Sequence, residues 1–423
     1  MSKDNPKEQA YALAREAYAR VGVDTERAME KLDTVALSVH CWQGDDVGGF
    51  EEGEAGGSGG GIQVTGHYPG RARMIGELRR DLEAVFSLIP GKHRLNLHAM
   101  YGDFRGRKAG RDSLEPAHFT GWVEWAEKTG VKLDFNATCF SHPMAESGFT
   151  LSSPDAAVRS FWIEHVQRCR EISRYIGEAQ RSPCVHNLWI PDGFKDLPAD
   201  RRIFRDRLLN SLDSIYSKSY PSCDMKDSVE SKLFGIGVEE FVVGSFEFYL
   251  GYALTRKIMI CLDMGHFHPT ESVGDKITAL LPYFPEILLH ISRGVRWDSD
   301  HVVILRDDLL DLTREIVRSG TLNRFHLALD FFDASINRVG AWIVGARATL
   351  KALLTALLEP HEKLVEMETD GNLFGRLALM EAAKTLPMGA VWDIYCMRKD
   401  AALEERVIPE VMRYEREVLS KRE

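Results

Sequence analysis

The sequence predicts an α/β protein built on a (β/α)8, or TIM, barrel, with an N-terminal helical lead and a C-terminal helical extension. Two observations carry this reading. Eight short apolar, partly β-branched runs recur at 35–42, 93–100, 132–140, 183–190, 228–237, 258–266, 287–293 and 324–332, and runs of that length and composition favour strand over helix. Stretches with helical spacing lie between them, including 71–88, 116–128, 155–178, 202–216, 270–284 and 307–318. Regular alternation implies a parallel sheet with right-handed crossovers, and eight units close a barrel of about 250 residues. The rival is an open doubly wound sheet, which normally carries a Gly-rich phosphate loop after its first strand. Here the first strand leads into 48–61 (GGFEEGEAGGSGGG), which has neither GxxxxGK(S/T) nor a GxGxxG opening a helix, and whose acids would repel a phosphate.

The chain has 423 residues, more than a barrel needs, and the surplus divides in order. Residues 1–34 are expected as helices packed on the barrel, with a turn at Val23 and Asp24. Residues 35–335 hold the catalytic barrel. Residues 336–423 carry three or four helical segments, including 341–357 and 377–386, with Trp342 and Trp392 as packing anchors suited to subunit contacts. The segment 48–61 reads by composition as a mobile loop or, from its place after a strand, as a lid over the barrel mouth.

Composition narrows the function. Hydrophobic residues at 44% and charged residues at 27% are ordinary globular usage. With 53 basic against 63 acidic residues, formally −10, the chain lacks the clustered cations that nucleic acid requires. Seven cysteines without CxxC spacing suggest neither a zinc ribbon nor a disulfide framework and fit a reducing, cytoplasmic compartment. The start MSKDNPKEQA has no apolar h-region, and no run approaches the roughly 18 apolar residues of a membrane span. The expectation is therefore a protein with neither nucleic acid nor membrane as partner.

In such a barrel, polar side chains at the C-terminal ends of strands share one pocket. These ends offer His40, His98, Asn136, and Trp189 with Asp192, then Glu230 and Lys232, Asp263 and His266, His290, and Asp330, with Asp298 and Asp300 beyond the seventh strand. Glu230 and Lys232, two apart, are expected on one face of a strand. Asp298 and Asp300 repeat that spacing. Singly, His290 reads as a buried hydrogen-bonded histidine, and Asp298 and Asp300 as caps or loop acids. Jointly, five carboxylates and two imidazoles on consecutive strand ends exceed one zinc site. Carboxylates so close repel unless a cation lies among them or one is protonated. Oxygen and imidazole ligation without thiolate suits two divalent ions, Mn²⁺ or Mg²⁺ and also Co²⁺. Cys261 shares the face of Asp263 one layer deeper and reads as core.

The runs Val39-His40-Cys41-Trp42-Gln43-Gly44-Asp45-Asp46, 230–237 (ESKLFGIG), 263–270 (DMGHFHPT), 295–302 (VRWDSDHV) and 329–338 (LDFFDASINR) together resemble the L-rhamnose isomerase family, and the likeness runs end to end. The resemblance implies a homotetramer and a Mn²⁺-dependent interconversion of L-rhamnose and L-rhamnulose. It places one metal on Glu230, Asp263, His290 and Asp330, and the second on His266, Asp298 and Asp300, with Asp263 bridging. Lys232, Asp330 and His98 are the expected catalytic side chains: Lys232 at the developing charge on O1, His98 at ring opening on O5. Trp189 is the expected wall for the sugar. Gly294, where the family pattern suggests proline, is a departure that loosens the loop of Asp298; Phe246 is another. A barrel metallohydrolase or endonuclease, an isomerase of another rare aldose, and a non-catalytic binding scaffold are the alternatives.

Overall fold

The computed structural model describes residues 5–51, 64–104, 106 and 109–422. Eight parallel strands close a barrel: β1 (Ala36–His40), β2 (Lys92–His98), β3 (Lys132–Asn136), β4 (Cys184–Leu188), β5 (Met225–Glu230), β6 (Met259–Asp263), β7 (Ile287–Ile291) and β8 (Phe325–Leu329). They follow one another in chain order, and the pairing of Ser38 with Ala328 joins β8 to β1. A short antiparallel ribbon of Gly193–Phe194 and Phe241–Val242 sits outside the barrel. The lid expected in 48–61 falls mainly on 52–61, outside the described residues.

Local signals explain most helices. Asp24, Asp155 and Asp200 accept backbone N–H bonds at the starts of Thr25–Leu32, Ala156–Gln180 and Arg201–Ile215, satisfying donors the first turn leaves open. Gly130 ends Thr120–Thr129 in the left-handed conformation. Asp307–Arg318 buries Leu309, Leu312, Thr313 and Ile316 on one stripe.

Three expectations are corrected. The fifth strand spans Met225–Glu230, not 228–237. Charged Lys226 and Asp227 disguise its first half, and a turn in which Val238 N–H bonds the Gly235 carbonyl replaces its expected second half. A helix at Phe246–Arg256, burying Tyr249, Tyr252 and Ala253, completes that unit. After residue 336 there are five α-helices, where three or four were expected, and the first, Arg338–Leu357, is the barrel's own eighth helix. Trp342 and Trp392 are buried within the chain, so neither serves a subunit contact. The Trp342 indole donates to the His40 carbonyl at 2.8 Å. Its ring leaves no room for a side chain at Gly44, where a Cβ would lie 2.5 Å from it.

The two helical additions bind each other. Lys7 pairs with Asp393 at 2.7 Å and Arg398 reaches both oxygens of Glu26. By length and composition, Arg338–Leu357 also passes for a membrane span, but 78% of its apolar window is buried in the chain's own packing.

One core histidine ties stability to pH. His165 accepts from the Thr138 N–H and shares its other ring nitrogen with the Arg111 carbonyl, each at 3.0 Å, which fixes a neutral ring. Burial, reinforced by Arg111, holds its pKa down at about 3. Below pH about 6.5 the unfolded chain takes a proton that the folded chain refuses until about 3, so stability falls with pH by about 1.4 kcal/mol per pH unit. Urea unfolding of His165→Gln between pH 6 and 4 should show a slope smaller by about that amount; an unchanged slope would contradict this.

Candidate metal and substrate site

The C-terminal ends of β4 to β8 deliver the site. Glu230 closes β5, and one of its oxygens, Oε2, accepts the Asn187 amide from β4. Asp263 closes β6, with Oδ1 accepting from Gly265 N–H and Ser292 Oγ, each at 2.6 Å. His290, next to last on β7, places Nδ1 3.3 Å from Glu230 Oε2, 3.7 Å from Asp263 Oδ2 and 3.0 Å from Asp330 Oδ2. Asp330 follows β8, and Trp42 Nε1 donates to its Oδ1 at 3.1 Å. Ligand atoms of Glu230, Asp263, His290 and Asp330 all gather within 4.8 Å of one another. Glu230 Oε1, Asp263 Oδ2 and both His290 ring nitrogens are buried without an aligned hydrogen bond. Three carboxylates and an imidazole there fit a hard divalent cation.

The second expected set is drawn together only in part. His266 Nε2 lies 3.2 Å from Asp298 Oδ2, and His266 Nδ1 lies 3.0 Å from Glu230 Oε1. Asp300 lines the same cavity, but the compact groupings among the described residues are the first set and Glu230 with Cys261 and His290. Cys261 belongs to the barrel's inner apolar cluster, as expected for core. Burial and Glu230 push its thiol up to about 12, leaving it without the thiolate a metal needs.

The electrostatics show what the cluster lacks. Burial opposes ionisation of Glu230, yet His290 and His266 hold its carboxyl well below the usual range. Burial opposes charging of both imidazoles as well, yet Asp298, Asp263 and Glu230 push His266 upward, and Glu230 and Asp330 are among the groups that push His290 upward. Burial, then Asp298, Asp330 and Asp263, force Asp300 well above its ordinary value, and burial lifts Asp263 to about 7. Divalent ions bound among these groups would relieve the same carboxylate repulsion and would compete with protons for them.

Around this floor is a cavity of about 280 Å³. Lys232 does not share a strand with Glu230. It lies past the strand end, its N–H on the Gly244 carbonyl, its Nζ 3.3 Å from Asp298 Oδ2 and 5.1 Å over the Trp189 ring. Trp189 stacks parallel to His266 at 6.3 Å, and its indole N–H is buried without a partner. His98 meets Thr138 Oγ1 at 3.1 Å, with Trp42 and Phe140 edge-on to its ring. Burial, then His290, hold its pKa at about 3, so it is a neutral donor or acceptor. Two strand-end residues serve the scaffold instead. Asp192 accepts four bonds from Thr150 and Ser152, and His40 is buried against Trp42, Phe331 and Trp342. Around Gly294 the loop is tied at two points, Val295 N–H to Ser299 Oγ and His301 N–H to the Arg293 carbonyl. Trp42, Asn187 and Ser292, which hold the ligand carboxylates, escape sequence reasoning. Inward polarity next to a strand end is the signal that marks Asn187.

Comparison with known proteins places this geometry. The family model described as L-rhamnose isomerase (RhaA) matches residues 6–422. The chain belongs to the L-rhamnose isomerase family. Proteins named L-rhamnose isomerase are similar throughout: from Rhodopirellula baltica, 56% identical over 415 residues, covering 98% of this chain and 97% of that protein; from Bacteroides thetaiotaomicron, 52% identical over 422 residues and the full length of both; from Salmonella paratyphi B, 53% identical over 415 residues, covering 98% and 99%. Among solved structures, an L-ribulose 3-epimerase overlaps 72% of this chain and 98% of its own, at 14% identity and a TM-score of 0.49. Membership in this family decides for a sugar isomerase over the barrel metallohydrolase.

Filling the cluster should stabilise the fold. Mn²⁺ added to chelator-treated protein at 100 times its Kd should contribute about 2.7 kcal/mol and raise the melting temperature. An unchanged melting temperature would contradict a cation site.

Proposed function

We propose that this chain interconverts L-rhamnose and L-rhamnulose with two divalent ions bound, Mn²⁺ before Co²⁺ or Mg²⁺. One ion is assigned to Glu230, Asp263, His290 and Asp330, the other to His266, Asp298 and Asp300. The observation that carries this reading is the gathering of four ligand side chains, three of them with an unpartnered buried ligand atom, on the floor of a cavity walled by Trp189 and Lys232, in a chain of this family. Ions held by these residues would supply Lewis acidity to the sugar's reacting oxygens and would anchor the opened chain.

The aldose becomes a ketose when a hydrogen moves with its electron pair from C2 to C1 and a proton passes from O2 to O1. No protein base is needed at C2. Lys232, oriented by Asp298 and the Trp189 face, donates to the charge growing on O1. Neutral His98, held by Thr138, is assigned to O5 during ring opening. Asp330 borders the same cavity and is assigned with these two to the catalytic set. Trp189 offers the sugar an apolar face and one free N–H, while Trp42, Phe140 and Phe332 line the cavity and limit water. A homotetramer is part of this proposal, and a subunit contact is supported by the helix Leu373–Ala383, which buries none of its side chains fully and exposes Leu373, Phe374 and Leu377. Seven unpaired cysteines support a cytoplasmic setting.

Lys232→Ala tests the assignment. Ketose formation from L-rhamnose should fall about 10²- to 10³-fold while calorimetric Mn²⁺ affinity stays within a few-fold. Undiminished turnover would refute the role of Lys232, and no turnover by the unsubstituted Mn²⁺-loaded protein on L-rhamnose would refute the substrate.

A further inference from the structure

The barrel interior beneath the metal cluster is divided. On one side Val185, Met259, Cys261, Leu288 and Ala328 form an apolar cluster of their own, the usual filling of such a barrel. On the other side Ser38, Asn96, Asp134, Asn187 and Ser228 are buried and polar. A cavity of about 270 Å³ runs in from the N-terminal end, bordered by Ser38, Arg94, Asn96, Asp134 and Asn187. Asn187, alone among the described residues, lines both this cavity and the one above it.

Asn187 thus stands between the two spaces, beside the Asn136–Asn96 amide pair, which also has one member on each. Its Nδ2 donates to Glu230 Oε2. Its Oδ1 is buried without a protein partner, and so is the Oγ of Ser228, its register neighbour on β5. An ionised carboxylate only accepts, so the nitrogen must face Glu230 and the oxygen must take the other side. Two orphaned buried polar atoms on register neighbours of adjacent strands, one of them on a residue that borders the lower cavity, are the setting that an ordered water satisfies.

We propose that Asn187 is a positioning residue for the metal centre, its amide clamped between Glu230 above and a water shared with Ser228 below. The lower cavity is then the hydrated support of a ligand carboxylate. Hydrogen-bond partners that orient metal ligands are typically worth 10- to 100-fold in affinity. This inference rests on the metal reading proposed above.

Calorimetric titration of Mn²⁺ into the chelator-stripped full chain tests it. Asn187→Leu should raise the dissociation constant about 10- to 100-fold. Ser228→Val, which fills the space of the water, should raise it by a smaller factor. Val185→Ala, on the apolar side of the same cavity, should leave it unchanged. If Asn187→Leu does not fold, the smaller Asn187→Ser carries the same expectation. Unchanged affinity in the Asn187 variant, or equal weakening in Val185→Ala, would overturn the proposal. No Mn²⁺ uptake by the unsubstituted chain would overturn the metal reading, and this proposal with it.

Discussion

Glu230 is buried at the end of β5 between two imidazoles, with Asp263 and Asp330 meeting it across His290. A buried carboxylate is costly unless its charge is matched. Much of the surrounding structure meets that demand. Asn187 fixes one oxygen of Glu230, Ser292 and Gly265 fix one of Asp263, and Trp42 fixes one of Asp330. Each acid is thus held by one oxygen, and Glu230 and Asp263 keep the other unpartnered. That is the arrangement a cation needs and an ordinary salt bridge does not.

The outer elements reach the same point through packing. Trp342, on the helix Arg338–Leu357, bonds the His40 carbonyl and presses on Gly44, two residues from Trp42, whose indole holds Asp330. The N-terminal lead and C-terminal extension pair through Lys7–Asp393 and Glu26–Arg398. The last residues dock by a buried Arg422–Asp81 pair. The length beyond a bare barrel thus braces the first and last βα units, between which the barrel closes.

Much of this was legible in the sequence because the period-2 pattern of a strand places its chemistry at its end. Glu230, Asp263, His290 and Asp330 each fall within one of the apolar runs, and the structure gathers all four. The pattern misled where charge interrupted it. Lys226 and Asp227 belong to β5 but read as loop, because Asp227 faces outward to Arg170 and His186. That displacement put Lys232 on the strand, when it reaches Asp298 from the loop beyond. Asn187 was passed over for another reason, although its inward polarity next to a strand end marks it. Its role is a bond to a residue 43 positions away, and no local spacing encodes it. The relation among His266, Asp298 and Asp300 depends on the loop after β7, where Asp300 has a positive φ of 39° that the sequence does not announce.

Manganese anomalous diffraction from crystals of the Mn²⁺-loaded protein addresses the central point most directly. A peak is expected among Glu230, Asp263, His290 and Asp330, within coordination distance of one atom from each. A structure with Mn²⁺ bound only elsewhere, or with these four side chains turned toward one another and no peak between them, would contradict the metal site on which the proposed chemistry depends.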